Sequence, residues 1–294
     1  MEVLDSIRRL QDDSFAGWDI SMSAYATNYL TMFVAIACGA LMWRHFGQSG
    51  DWSDVLPFTF ASYSLLTGLS AGFMAMAMHM LATMQEEGNA MSKVWFDGHS
   101  KWLFPYTLAA GLAPLASAVC LGAAFAYVRF SSGWLRAAKC VGLALSCWEV
   151  ALCCTDVDNS SIISHYWGLC ATAVSVVLVA VLGREAPGFV LVLIGFAIQL
   201  VGYFVSAATG FACSPQPGRM VQTAAGPLYV KETPDQWFCS DSFDRLTFFH
   251  ACCAASLPVL YFGIMLKADR DREQSYLSMM RTAYQKETPR CCGV

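Results

Sequence analysis

The sequence predicts an all-α polytopic membrane protein, a single bundle of seven transmembrane helices. Composition is the first reason: 14% of the 294 residues are charged and 56% are apolar, against about 25% and about 45–50% in soluble domains. Mean hydropathy, at +0.46, leaves too little polar surface to coat a soluble globule. The third reason is that the apolar residues fall in continuous blocks, and a bilayer core needs about 20 such residues of helix because unsatisfied backbone groups in lipid are costly. Continuous blocks also exclude a β-barrel, whose strands alternate over about ten residues. A net charge of −4 with no basic stripe excludes a nucleic-acid binder.

Seven windows qualify in order: Ser23–Trp43, Leu56–Met84, Trp102–Val128, Ala137–Thr155, Ser161–Gly183, Pro187–Ala212 and Leu246–Leu266. The fourth is the shortest, and Lys139 near its start must snorkel toward water. Almost nothing separates the fifth from the sixth around Arg184, so these two should form a tight hairpin. The chain then divides into an N-terminal segment 1–22, a membrane domain 23–266 and a tail 267–294. Val3, Leu4, Ile7, Leu10 and Phe15 recur with roughly helical spacing, the mark of an amphipathic surface segment. Residues 1–22 are polar and acidic rather than a cleavable signal peptide, so the first span is expected to target the chain itself.

Orientation follows from Lys and Arg. Eleven of the 18 fall on the side of the first, third and fifth loops and the C-terminus, seven on the other. The N-terminus is therefore expected to be extracytosolic and the C-terminus cytosolic, in an endomembrane or the plasma membrane. Trp18, Trp95, Trp102, Trp167 and Trp237 fall at one predicted interface and Trp43, Trp52 and Trp134 at the other, as aromatic belts do. Beyond the seventh span, Tyr276, Leu277, Met280 and Tyr284 mark an apolar face beside Arg270, Arg272 and Arg281, which reads as a surface helix on an anionic leaflet. Cys291 and Cys292 beside Arg290 invite palmitoylation, and prenylation fits less well because the residues after Cys291 are not aliphatic. Most of the 13 cysteines lie within spans as small apolar residues. Cys213 and Cys239 instead flank the longest loop, residues 213–245, and a disulfide between them would close about 26 residues into a lid. The prolines and glycines of that loop argue for turns.

One constellation bears chemistry. His79, Glu149, His165 and His250 come from four different spans, and a rise of ~1.5 Å per residue puts all of them about 6–9 Å below the extracytosolic boundary. Asp156, Asp158, Asp241 and Asp244 stand at the adjoining helix ends. A buried carboxylate with two or three imidazoles can hold Zn²⁺ with a water position open, can carry protons, or can simply knit the bundle together. Ser64, Gly68, Gly72, Ala75 and His79 share a stripe of small residues suited to close helix approach. Gln199, at mid-membrane, reads as an interhelical hydrogen bond. Met74, Met76, Met78 and Met80 fall about 200° apart and so read as packing, not copper ligands.

A histidine late in the second span and another early in the seventh resemble the alkaline ceramidase-like (CREST) membrane hydrolases and, more loosely, the progestin and adipoQ receptors. That resemblance implies zinc held by His79 and His250, an aspartate such as Asp244 assisting, and hydrolysis of a lipid amide or ester. The chain departs from the pattern at Leu246 and Ala254, where the family's HxxxH would place a second seventh-span histidine, and at Ala75, where the family has serine. Glu149 and His165 would then complete a rearranged set. A retinal protein would need a lysine well inside the seventh span, where the chain has only Lys267 at its end. Three readings stand: a receptor-like or structural membrane protein, a zinc-dependent lipid hydrolase, and a proton-coupled transporter working through Glu149. The third lacks the internal repeat usual in transporters. The bilayer is the expected partner, with a lipid as ligand or substrate.

Overall fold

A computed structural model describes residues 22–47, 55–86, 103–130, 132–155, 162–212, 219–223, 226–230 and 245–287. Its helices are α1 (Met22–Gly47), α2 (Val55–Glu86), α3 (Leu103–Tyr127), α4 (Ser132–Thr155), α5 (Ile162–Leu182), α6 (Phe189–Ala212) and α7 (Arg245–Glu287). All seven contain a stretch long and apolar enough to cross a membrane, as expected for an integral membrane protein. The N-terminal segment, Cys213, Cys239, Asp244, Cys291 and Cys292 lie outside the described residues. Below, the N-face is the end of the bundle where α1 begins, and the C-face is the end where it finishes.

The helices do not simply follow one another around a ring. Contacts run α1–α2–α3–α5–α6–α7 and back from α7 to α1, while α4 packs on the outside of α3 and only touches α5. The core states the same order in side chains. Met42 of α1, Phe60 and Tyr63 of α2, Tyr127 of α3, Val179 of α5, Phe196 of α6 and Leu257, Leu260 and Ile264 of α7 form one buried cluster with no residue from α4. A satellite cluster holds α4 in place, with Ala138 against Leu121 and Phe125 of α3 and Ala171 of α5. Trp134, Leu143, Trp148 and Val150 of α4 therefore face outward, which suits lipid.

Close approach requires small residues. Gly68 and Gly72 of α2 lie against Ala35, Ile36 and Met32 of α1, so the predicted stripe is the α1–α2 seam. Gly142 of α4 lies against Ala118 of α3 in the same way. The α5–α6 connection is the tight hairpin that the sequence implies, closed by Ala186 N–H to Gly183 O at 2.9 Å and Phe189 N–H to Ala186 O at 3.2 Å.

Two features depart from the sequence reading. Residues 267–287 are not a separate helix lying on a leaflet but the continuation of α7, which runs 43 residues or about 64 Å. No Pro or Gly lies between Gly263 and Pro289, so nothing stops the helix where the apolar run ends. Between α6 and α7, β1 (Arg219–Thr223) and β2 (Gly226–Val230) pair antiparallel, with Thr223 opposite Gly226. Two residues separate the strands, the commonest hairpin length.

Candidate functional site

On the N-face, the four ionisable residues of the predicted constellation each meet different neighbours. His79 sits on the small-residue stripe of α2 and so turns toward α1. Its ring stacks on Tyr25, with centroids 4.9 Å apart and planes 8° from parallel, and meets Tyr29 edge-on at 6.3 Å. Glu149 is on α4 yet fully buried at 0% exposure. Its Oε1 accepts the backbone N–H of Ser164 at 2.6 Å. That amide is in the first turn of α5, where N–H groups have no intrahelical acceptor. Glu149 thus caps α5 from a neighbouring helix, with a carboxyl oxygen at the positive end of its dipole. Its Oε2 is buried without a hydrogen-bond partner among the described residues.

His165 of α5 lies in an aromatic box, 5.3 Å from Tyr203 of α6 and 5.6 Å from Phe249 of α7 between ring centroids. His250 is the neighbour of that phenylalanine, with rings 5.1 Å apart, and its carbonyl accepts the Thr31 hydroxyl of α1 at 3.0 Å. His165 and His250 thus flank Phe249, while His79 addresses α1 and Glu149 addresses the start of α5. Among the described residues, no group of three or more His, Cys, Asp and Glu side chains comes together as a metal-binding set. Asp156, Asp158, Asp241 and Asp244 lie outside them.

Deeper in the membrane, Gln199 does what its sequence position implies: its Nε2 donates to the Tyr63 hydroxyl at 2.8 Å, tying α6 to α2. Ser70 donates to the Ala109 carbonyl at 3.0 Å and Trp167 to the Pro114 carbonyl at 3.0 Å, joining α2 and α5 to α3. Met78 is buried and accepts Asn28 Nδ2 at 3.5 Å, whereas Met76 faces outward, so the methionine run splays as its spacing requires. Each of these groups serves a helix–helix seam.

The C-face holds a second polar cluster that the sequence reading passed over. Lys267 is 6% exposed, and its ammonium binds both oxygens of Asp271 at 2.7 and 2.6 Å. Arg129, just past the end of α3, adds a third bond to Asp271 at 2.8 Å, and His45 of α1 meets Asp269 at 3.1 Å. The 267/271 spacing is the i,i+4 relation that pairs charges on a helix, and it was the available signal. Neither a family model nor a curated protein nor a solved structure matches the chain.

Replacing Glu149 by Gln keeps the shape but puts an amide oxygen in place of the carboxyl as acceptor for Ser164 N–H. We expect a loss of about 1–2 kcal/mol, read as a lower melting temperature in detergent, with Glu149→Ala worse because it orphans the amide. No change in either variant would mean that the cap carries no weight.

Proposed function

We propose that the chain is a receptor-like or structural integral membrane protein, in which His79, His165, His250 and the buried Glu149 hold helices together instead of forming a zinc-dependent hydrolytic centre. The observation that carries this reading is the division of labour on the N-face. His79 stacks on Tyr25 and meets Tyr29 edge-on, Glu149 caps α5, and His165 sits among Tyr203 and Phe249. Hydrolysis needs a water held within reach of metal and base together, and these side chains each serve a separate seam. A receptor-like role also suits α7. It is one helix from the N-face to about 30 Å beyond the continuous apolar run that ends at Leu266, tied at the C-face to α1 by the His45–Asp269 pair and to α3 by Arg129–Asp271. A shift in the bundle would thereby reach the projecting helix, which the excess of Lys and Arg assigns to the cytosol.

The test uses purified protein in detergent. Zinc by elemental analysis should stay below about a tenth of an equivalent, and hydrolysis of lipid amides and esters should stay at background in wild type, His79→Ala and His250→Ala alike. The same variants should melt lower, by about 1 kcal/mol for the lost stacking of His79. One equivalent of zinc, or a wild-type hydrolysis rate that both substitutions abolish, would replace this reading with the hydrolase.

A further inference from the structure

We propose that the C-face carries a binding site for a phosphate-bearing anion, of the chemistry shared by an anionic phospholipid headgroup and a soluble phosphate ester. The end of α3, the α5–α6 turn and α7 line an open cleft of about 530 Å³ whose charged lining is Arg129, Glu185, Lys267, Arg270 and Asp271. That volume suits a sugar-phosphate-sized polar group.

The charges in the cleft are unevenly matched. Lys267 occupies both oxygens of Asp271, and Arg129 shares one of them. One carboxylate thus serves two cations. Arg270 has no ion pair among the described residues, and neither has Glu185. Arg129 uses one of its five N–H donors on Asp271, and a guanidinium fork is the side chain best matched to phosphate oxygens. The lining therefore sums to a single positive charge, enough for one phosphate and too little for a polyanion.

Two backbone features reinforce this. Arg129 stands in the left-handed region at φ 56°. It caps α3 through its own N–H to Ala126 O at 3.1 Å and through Phe130 N–H to Phe125 O at 2.8 Å. Glycine is the usual residue there, and a larger one costs about 1 kcal/mol. The strained position is what lets the side chain turn into the cleft. Across the cleft, Ala186 and Pro187 belong to the turn that leads through Gly188 into α6, whose first-turn amides add partial positive charge. Tyr127 fixes that wall by donating to the Pro187 carbonyl at 3.0 Å. The cleft also opens at the end of the apolar spans, the level at which lipid phosphates lie. None of this depends on which face is cytosolic or on the receptor-like reading.

The test titrates full-length protein in uncharged detergent with a short-chain phosphatidylinositol, which carries one phosphate, and, separately, with glycerophosphoinositol, the same headgroup lacking acyl chains. Binding is followed by the rise in melting temperature. A saturable rise is expected, with apparent affinity about tenfold or more weaker in Arg270→Gln and Arg129→Gln. Arg136→Gln, an exposed cation on α4 outside the cleft, should stay within about twofold of wild type. Equal response to both probes assigns a soluble phosphate ester, and response to the acylated probe alone assigns a lipid headgroup; either supports the site. No saturable rise with either probe, or equal weakening in Arg136→Gln and Arg270→Gln, would overturn it.

Discussion

Asp271→Ala should lower the melting temperature of the purified protein by on the order of 6–10 °C, the largest loss expected from any single charge in the chain. The reason is the state of what remains. Lys267 keeps an ammonium whose side chain is 7% exposed, and among the described residues its bonds all go to Asp271. A buried cation stripped of its partner costs about 3–5 kcal/mol. Asp271 itself is 25% exposed, so water reaches the site and the lower end, about 3 kcal/mol, is the better expectation. The reverse substitution should be milder. In Lys267→Met the carboxylate keeps Arg129, whose own side chain is 68% exposed, and no charge is left buried alone. The double variant Lys267→Met/Asp271→Leu removes both charges, and a buried pair replaced by apolar residues of similar volume is often neutral or better. It should recover to within about 1 kcal/mol of wild type. A double variant as unstable as Asp271→Ala would show that the bundle needs the ions themselves, and not merely their mutual neutralisation.

This pair also shows where the sequence is readable and where it is not. Six of the seven spans fall within about five residues of their expected bounds, because lipid allows few structures other than a hydrogen-bonded helix and hydropathy reports that directly. The end of α7 is missed for the same reason: loss of hydropathy at Lys267 marks the membrane boundary, not a helix boundary, and only Gly or Pro would have marked the latter. Lateral order is not written in hydropathy at all. Depth counting places His79, Glu149, His165 and His250 at one level, but α4 lies outside the ring and the stripe that carries His79 faces α1. Equal depth alone therefore says nothing of which neighbours each side chain meets. The stripe of small residues already held that information. Gly68 and Gly72 mark the seam of closest approach, and a histidine in phase with them belongs to that seam and not to the bundle axis.

Gly188→Ala should be the most damaging of the conservative substitutions, for two reasons that act together. Gly188 holds the α5–α6 turn at φ 74°, in the left-handed region where a Cβ costs about 1–2 kcal/mol. The added methyl would also run into the Gly263 carbonyl of α7, with the Gly263 Cα at 2.9 Å as well. These are backbone atoms, so no rotamer change relieves the contact, and α6 and α7 must separate or the turn must rebuild. Overpacking of this kind adds about 1–3 kcal/mol, for a total of about 3 kcal/mol or more. The damage should spread along the seam, since Gly195 and Gly263 hold the same two helices close through Leu260 and Val192. Gly122→Ala in α3 is the fitting control. There the nearest atom is the terminal methyl of Leu135, which can swing away. Exchanging a mid-helix glycine for alanine gains up to about 1 kcal/mol, so this variant should melt at or above the wild-type temperature. If both substitutions cost the same, close backbone contact between α6 and α7 is not what limits the stability of the bundle, and the α5–α6 turn is free to open without disturbing α7.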